Sequence, residues 1–170
     1  MGPINWSRKT MLLNALLFWP TVFLGGYVLW GKSAAIFWVY VAVWLGVIVT
    51  GRYFACRSCK YYGVDCPTFG YSYLARMFKK DESKPFNGRA CHIDALVQML
   101  VMLMPALAWI FSAFDVVVSK YNTTDHILMG VYVALGLLML CVHSANGCSK
   151  CDIAECRLSK AAKECRSKAQ

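Results

Sequence analysis

The sequence predicts an all-α fold, a four-helix integral membrane bundle with a cysteine-rich, metal-organised cytoplasmic cap. Three observations lead to this fold class. Of the 170 residues, 58% are hydrophobic and only 16% are charged, which is less charge than a soluble domain of this size carries. The apolar residues gather in four runs, and eight of the nine cysteines lie either between the second and third runs or after the fourth.

Each apolar run is predicted to form one transmembrane helix. The runs cover about residues 11–30, 34–50, 95–114 and 127–142, and none has a charged residue in its interior. Their lengths approach the roughly 20 residues that a helix needs to cross a hydrocarbon core about 30 Å thick. The first run is too long for the apolar core of a cleaved signal peptide, so we expect it to stay as an anchor. We therefore treat residues 1–170 as a single membrane domain.

The basic residues predict the orientation of this multi-pass protein. Sixteen of the 18 lysines and arginines precede the first run, lie between the second and third, or follow the fourth. Only Lys32 and Lys120 lie in the two opposite loops. Because lysine and arginine are enriched on the cytoplasmic side, the N- and C-termini and the loop 51–94 should be cytoplasmic. The net charge of +9 then favours contact with anionic lipid of the inner leaflet, and it gives no reason to expect nucleic acid.

The groups that could carry chemistry are concentrated in the cysteine-rich loop 51–94 and in the basic, cysteine-rich tail 143–170. Cytoplasmic thiols are normally kept reduced, so paired thiols there are better interpreted as metal ligands or redox groups than as disulfides. Two cysteines separated by two residues can direct both sulfurs at one ion across a tight turn, and two further ligands complete a tetrahedron. The candidate metal ligands are Cys56, Cys59, Cys66, Cys91, His92, Cys141, His143, Cys148, Cys151 and Cys156.

The simplest grouping of these ligands has two sites. The first site consists of Cys56, Cys59, Cys66 and Cys91, with His92 as a substitute for Cys91. The second site consists of Cys148, Cys151, Cys156 and either Cys141 or His143.

The identity of the metal is left between an iron–sulfur cluster and zinc, because four thiolates suit both. Cys66-Pro67 is similar to the Cys-Pro that closes ferredoxin-type ligand runs. The spacing C-x2-C-x6-C nevertheless differs from the C-x2-C-x2-C of that run, and structural zinc requires only that four ligands meet. Thiol redox chemistry, metal handling and a metal-free cap also stay open for these cysteines.

The layout of four helices with a cysteine-rich loop between the second and third resembles the palmitoyltransferases of the Asp-His-His-Cys type. The pieces similar to their zinc-binding domain are Cys56-x-x-Cys59, Lys84-Pro85 and Arg89-Ala-Cys91-His92. The tetrad whose cysteine accepts the acyl chain is absent, since Cys91-His92-Ile93-Asp94 stands here, and acyl transfer is therefore not predicted. In size and layout the chain is also similar to the small iron–sulfur membrane subunits of respiratory chains.

No nucleotide-binding loop, HExxH, GxSxG or Ser-His-Asp set is visible, so the sequence predicts no autonomous catalytic centre. The leading hypothesis is a small membrane subunit that carries iron–sulfur clusters and relays electrons in a larger redox complex, with protein partners and a membrane quinone. The competing hypothesis is a structural or assembly subunit stabilised by zinc. Asp94 and Gln98 either suit the start of a helix or form a proton or quinone site near the clusters.

Overall fold

The fold is all-α, as the sequence predicts. The structure is a computed structural model, and it describes residues 6–64, 66–69, 71–112, 121–151 and 153. The α-helices within these ranges are α1 (Arg8–Trp30), α2 (Ala34–Gly51), the short α3 (Tyr71–Leu74), α4 (Gly88–Ser112) and α5 (Thr123–Asn146). A π-helical turn, Arg52–Cys56, continues α2, and 3-10 turns at Ala75–Met77 and Cys148–Lys150 follow α3 and α5.

The four predicted membrane helices are confirmed as helices that are long and apolar enough to cross a membrane. Including the turns that extend α2 and α5, they contain 23, 23, 25 and 28 residues. Many large apolar side chains face outward, for example Leu16, Trp38 and Leu100, which are more than half exposed. An apolar surface of this extent suits contact with lipid rather than water.

Three of these helices extend beyond the apolar runs that predict them. Ser7 caps α1, and Asn122 forms a capping box with Asp125 at the start of α5. Hydropathy detects only the apolar part of a helix, so it does not predict polar ends of this kind. α4 begins at Gly88, which places Cys91 on a helix rather than in the preceding loop.

Aromatic rings join the cysteine-rich loop to the core of the bundle. α1 contacts α2, α4 and α5, and its Phe18 packs edge-on against Trp44 of α2 at 5.4 Å between ring centroids. The loop residue Phe69 stacks on Phe18 at 4.2 Å, with a positive φ of 55° that a bulky residue rarely adopts. Packing against the bundle therefore holds Phe69, and with it the preceding residues 66–68, at one end of the helices.

Gly25 marks a close approach of all four long helices. A Cβ atom at this position would meet Tyr132 of α5 at 2.9 Å, Pro105 of α4 at 3.0 Å and the Tyr40 hydroxyl of α2 at 3.0 Å. Small residues at such crossings allow membrane helices to pack closely.

We expect Gly25→Ala to destabilise the bundle by about 1–3 kcal/mol, which is the usual cost of adding atoms to a filled core. Gly46→Ala in α2 is the matched control, because a Cβ atom there meets nothing within 4 Å. The midpoints of thermal unfolding in detergent measure the difference. Equal midpoints for the two variants would contradict the packing around Gly25.

Candidate functional site

Six of the described cysteines line one cavity at the end of the bundle where α2 and α5 end and α4 begins. This cavity, the thiol cavity, has a volume of about 170 Å³. The groups in its lining that can carry chemistry are Cys56, Cys59, Cys66, Cys91, Cys148, Cys151, His143, Arg52, Asp94 and Gln98. Members of both predicted ligand groups therefore face the same space, rather than two separate ones.

The two Cys-x-x-Cys segments adopt the same backbone turn. In the first, the amide of Cys59 donates to the carbonyl of Cys56 at 3.1 Å, and in the second the amide of Cys151 donates to the carbonyl of Cys148 at 3.2 Å. The first turn follows the π-helical end of α2, and the second follows Gly147 at the end of α5. Each helix thus ends in a turn that carries a pair of thiols to the cavity.

Two of the sulfurs accept hydrogen bonds from their own loops. The amide of Tyr61 donates to Cys59 Sγ at 3.5 Å, and the hydroxyl of Thr68 donates to Cys66 Sγ at 3.3 Å. Donors aimed at sulfur stabilise a thiolate relative to a thiol. Such bonds are common around metal-bound cysteines, whose surroundings tune the metal.

Burial dominates the protonation of these thiols. Burial, together with the smaller effect of the nearby thiols of Cys66, Cys56 and Cys151, raises the pKa of Cys59 to about 12 against the lowering effect of the Tyr61 amide. Burial also raises the pKa of Cys66. A nucleophilic or redox-active cysteine normally has a lowered pKa, so the raised pKa values of Cys59 and Cys66 do not favour thiol redox chemistry. A bound cation would be needed to hold these sulfurs as thiolates at neutral pH.

An ion pair between the π-helical turn that follows α2 and the helix α4 lies beside the thiols. Arg52, in the π-helical turn, is 3% exposed and donates to Asp94 Oδ2 at 2.7 Å. Gln98 donates to the same oxygen at 2.8 Å. A Cβ atom on Gly51 would overlap the carboxylate, so glycine at this position allows Asp94 to reach Arg52.

The sequence pattern does not reveal the role of Arg52. In the sequence it is one of the many basic residues from which the orientation is predicted, yet its side chain is buried beside the cysteines. The one feature of the sequence that points toward this role is Asp94, because an ionisable residue at membrane depth requires a partner of opposite charge. Nothing local indicates that this partner lies 42 residues away.

The imidazole of His143, on α5, also belongs to the cavity lining. It packs against the ring of Phe69 at 4.6 Å between centroids, next to the backbone of Pro67. Its Nδ1 atom is buried, and no described residue forms a hydrogen bond with it. The histidine therefore lies between the first cysteine segment and the second.

The remaining candidate ligands lie elsewhere. Cys141 is exposed on α5, and His92, on α4, is absent from the cavity lining. Cys156 lies outside the described residues. None of the seven described cysteines forms a disulfide, and within the described ranges no three Cys, His, Asp or Glu side chains already form a metal-binding group. Metal ligation and the metal-organised cap therefore stay predictions.

Fold and site together define an all-α protein with four potential membrane-spanning helices and a thiol-lined cavity at one end of the bundle. Comparison with protein-family models, curated proteins and solved structures finds no match for the chain. The functional conclusion therefore depends on the residues of the cavity.

Proposed function

We propose that the thiol cavity binds a thiolate-ligated iron–sulfur cluster, and that the protein is a small integral-membrane subunit that relays electrons in a larger redox complex. The observation that carries this proposal is the convergence of six cysteines, from two distant segments, on one cavity. A single buried cysteine is commonly a small apolar filler. Six of them, four held in paired turns, exceed what packing requires.

The arrangement of the thiols favours a cluster over a single zinc ion. Zinc binds four ligands tetrahedrally with sulfur at about 2.3 Å, so the sulfurs must crowd around one point. A cluster distributes its thiolates around an inorganic core, which suits sulfurs that line a cavity.

The charges around the cavity also suit a thiolate-ligated centre. Such a centre adds negative charge to a low-dielectric site, and the buried guanidinium of Arg52 lies beside the thiols that would carry this charge. Its electrostatic effect lowers the pKa of Cys66, although burial of that thiol outweighs it. Arg52 would therefore act as a fixed counter-ion.

A one-electron carrier needs a donor and an acceptor. Held by the cysteines of the cavity, a cluster would supply one-electron transfer from a reduced protein partner to an oxidised membrane quinone. Two electrons together with two protons would convert the quinone to the quinol. Asp94 and Gln98 supply polar groups at the cavity that suit contact with a quinone or with its protons.

We also propose that the thiol cavity faces the cytoplasm. The cavity lies at the end of the bundle that carries most of the basic residues, such as Arg57, Lys79 and Lys80, and this distribution follows the positive-inside rule. Exposed basic residues at this end would also contact anionic lipid of the inner leaflet.

A zinc-stabilised structural or assembly subunit is the second candidate. The observation that favours it is the scarcity of regular structure in the described parts of the loop 57–87, which contain only α3 and one 3-10 turn. Structural zinc stabilises folds that lack a sufficient core of their own. A zinc ion between the two cysteine segments would hold this loop on the bundle.

Optical and redox spectroscopy of anaerobically purified protein tests the proposal. We expect a visible chromophore that dithionite bleaches and that a soluble quinone restores, as an iron–sulfur relay requires. A colourless protein that contains zinc would overturn electron transfer and support the structural subunit. A colourless protein without metal would overturn both candidates.

A further inference from the structure

We infer that His143 binds the metal through Nδ1, so that the thiol cavity holds a mixed thiolate–imidazole centre. This inference rests on the proposed metal centre and deepens it by naming a nitrogen ligand beside the cysteines. It commits to one of the two ligands that the sequence leaves open for the second group, and it excludes Cys141.

The position of His143 places its ring among the thiols. The ring lines the same cavity as the six cysteines, whereas Cys141 is exposed and His92 does not line the cavity. Phe69 packs against one face of the imidazole, and Gly147 leaves room beside Nδ1, since a Cβ atom there would lie 3.3 Å from it. The side chain is therefore fixed before any metal binds.

A buried ring nitrogen without a partner is the second observation. Nδ1 of His143 is buried, and no described residue forms a hydrogen bond with it. A neutral imidazole that carries its proton on Nε2 offers the lone pair of Nδ1 to a metal. Histidines that bind metals almost always donate the other ring N–H to a carbonyl or carboxylate, and the backbone of Pro67 lies next to the ring.

The position of His143 also connects the two cysteine segments. Its ring packs on Phe69, three residues after Cys66, whereas His143 itself lies five residues before Cys148. A metal bound to Nδ1 would therefore be held by the end of α5, beside the loop that follows α2. The buried Nδ1 atom would gain the electron-pair acceptor that it otherwise lacks.

A neutral imidazole in place of a thiolate makes the centre one unit less negative. In iron–sulfur proteins, replacement of thiolates by histidines raises the reduction potential. The centre in this protein should accordingly be easier to reduce than one ligated by cysteine alone. With zinc, the same donors would form a three-cysteine, one-histidine site.

Pulsed EPR on protein labelled with 15N-histidine tests the ligand. The full-length protein is reconstituted anaerobically with ferrous iron and sulfide and then reduced. We expect a hyperfine coupling to one histidine nitrogen in the wild type and in His92→Gln, and its loss in His143→Cys, which offers a thiolate instead and retains the cluster. The potential of His143→Cys should fall below that of the wild type.

The outcomes separate this inference from the proposed function. A reduced cluster without nitrogen coupling in the wild type, or coupling that persists in His143→Cys, overturns ligation by His143 and leaves the metal centre intact. If no cluster forms in the wild type, the same labelled protein is loaded with zinc, and X-ray absorption should then show one nitrogen at about 2.0–2.1 Å. An X-ray absorption spectrum that shows only sulfur ligands would overturn ligation by His143. Failure to bind either metal would overturn both this inference and the proposed metal centre.

Discussion

Cys59→Ser is expected to remove nearly all of the bound metal, and Cys151→Ser is expected to do the same. Both thiols line the thiol cavity, and each closes one of the two Cys-x-x-Cys turns. Serine oxygen is a much poorer ligand than thiolate for zinc or for iron–sulfur clusters. Because the two segments face one space, loss of a ligand from either one should disrupt the same centre. Metal per chain, measured by elemental analysis of each purified variant, gives the result.

Two independent centres would behave differently. In that case each variant would retain about half of the metal, and only the double variant would lose all of it. Cys141→Ser is the matched control, since this cysteine is exposed on α5 and lies outside the cavity lining. It should retain the metal content of the wild type.

Asp94→Asn is expected to destabilise the protein by about 3–5 kcal/mol, the usual cost of removing one partner from a buried ion pair. The substitution keeps the shape of the side chain but leaves the guanidinium of Arg52, which is 3% exposed, without its compensating charge. It also weakens the hydrogen bond from Gln98, which is 2.8 Å long. The unfolding midpoint in detergent, measured on metal-free protein, separates this effect from metal binding.

The pair between Lys80 and Glu82 provides the control. It has a similar separation of 2.8 Å, but both side chains are exposed, and exposed pairs contribute little to stability. Glu82→Gln should therefore leave the midpoint unchanged. An equally small effect of Asp94→Asn would show that Arg52 is not buried against Asp94.

The helices could be predicted from the sequence because lipid imposes a simple requirement on them. A segment that crosses the hydrocarbon core must be apolar along its length and must satisfy its own backbone hydrogen bonds. The run at 34–50 satisfies this requirement and matches α2 closely. Hydropathy misses the start of α4 because Gly88, Arg89 and His92 are not apolar, although they continue the helix.

The site was only partly predictable, because its central feature is a set of contacts between distant residues. Spacing identifies Cys56 and Cys59 as a pair, and Cys148 and Cys151 as another, since each pair needs only a local turn. Nothing in the spacing shows that both pairs face one cavity. That arrangement follows from the antiparallel packing of the helices, which brings the end of α2 and the end of α5 to the same side.

The contribution of His143 was open for a similar reason. A histidine near the end of a helix can simply complement the helix C-terminus, and the sequence alone does not distinguish this role from metal ligation. The distinction depends on Phe69, which packs on the ring, and on Pro67, whose backbone lies next to it. Both residues lie more than seventy positions earlier in the chain.

The most direct test of the metal centre is the content of iron, acid-labile sulfide and zinc per chain in anaerobically purified wild-type protein. One iron–sulfur cluster in the thiol cavity predicts iron and sulfide in equal amounts, at one cluster per chain and with no zinc. Zinc at one ion per chain without iron would retain the metal centre but contradict electron transfer. Wild-type protein that contains none of these elements, and that takes up none on reconstitution, would contradict the metal centre itself.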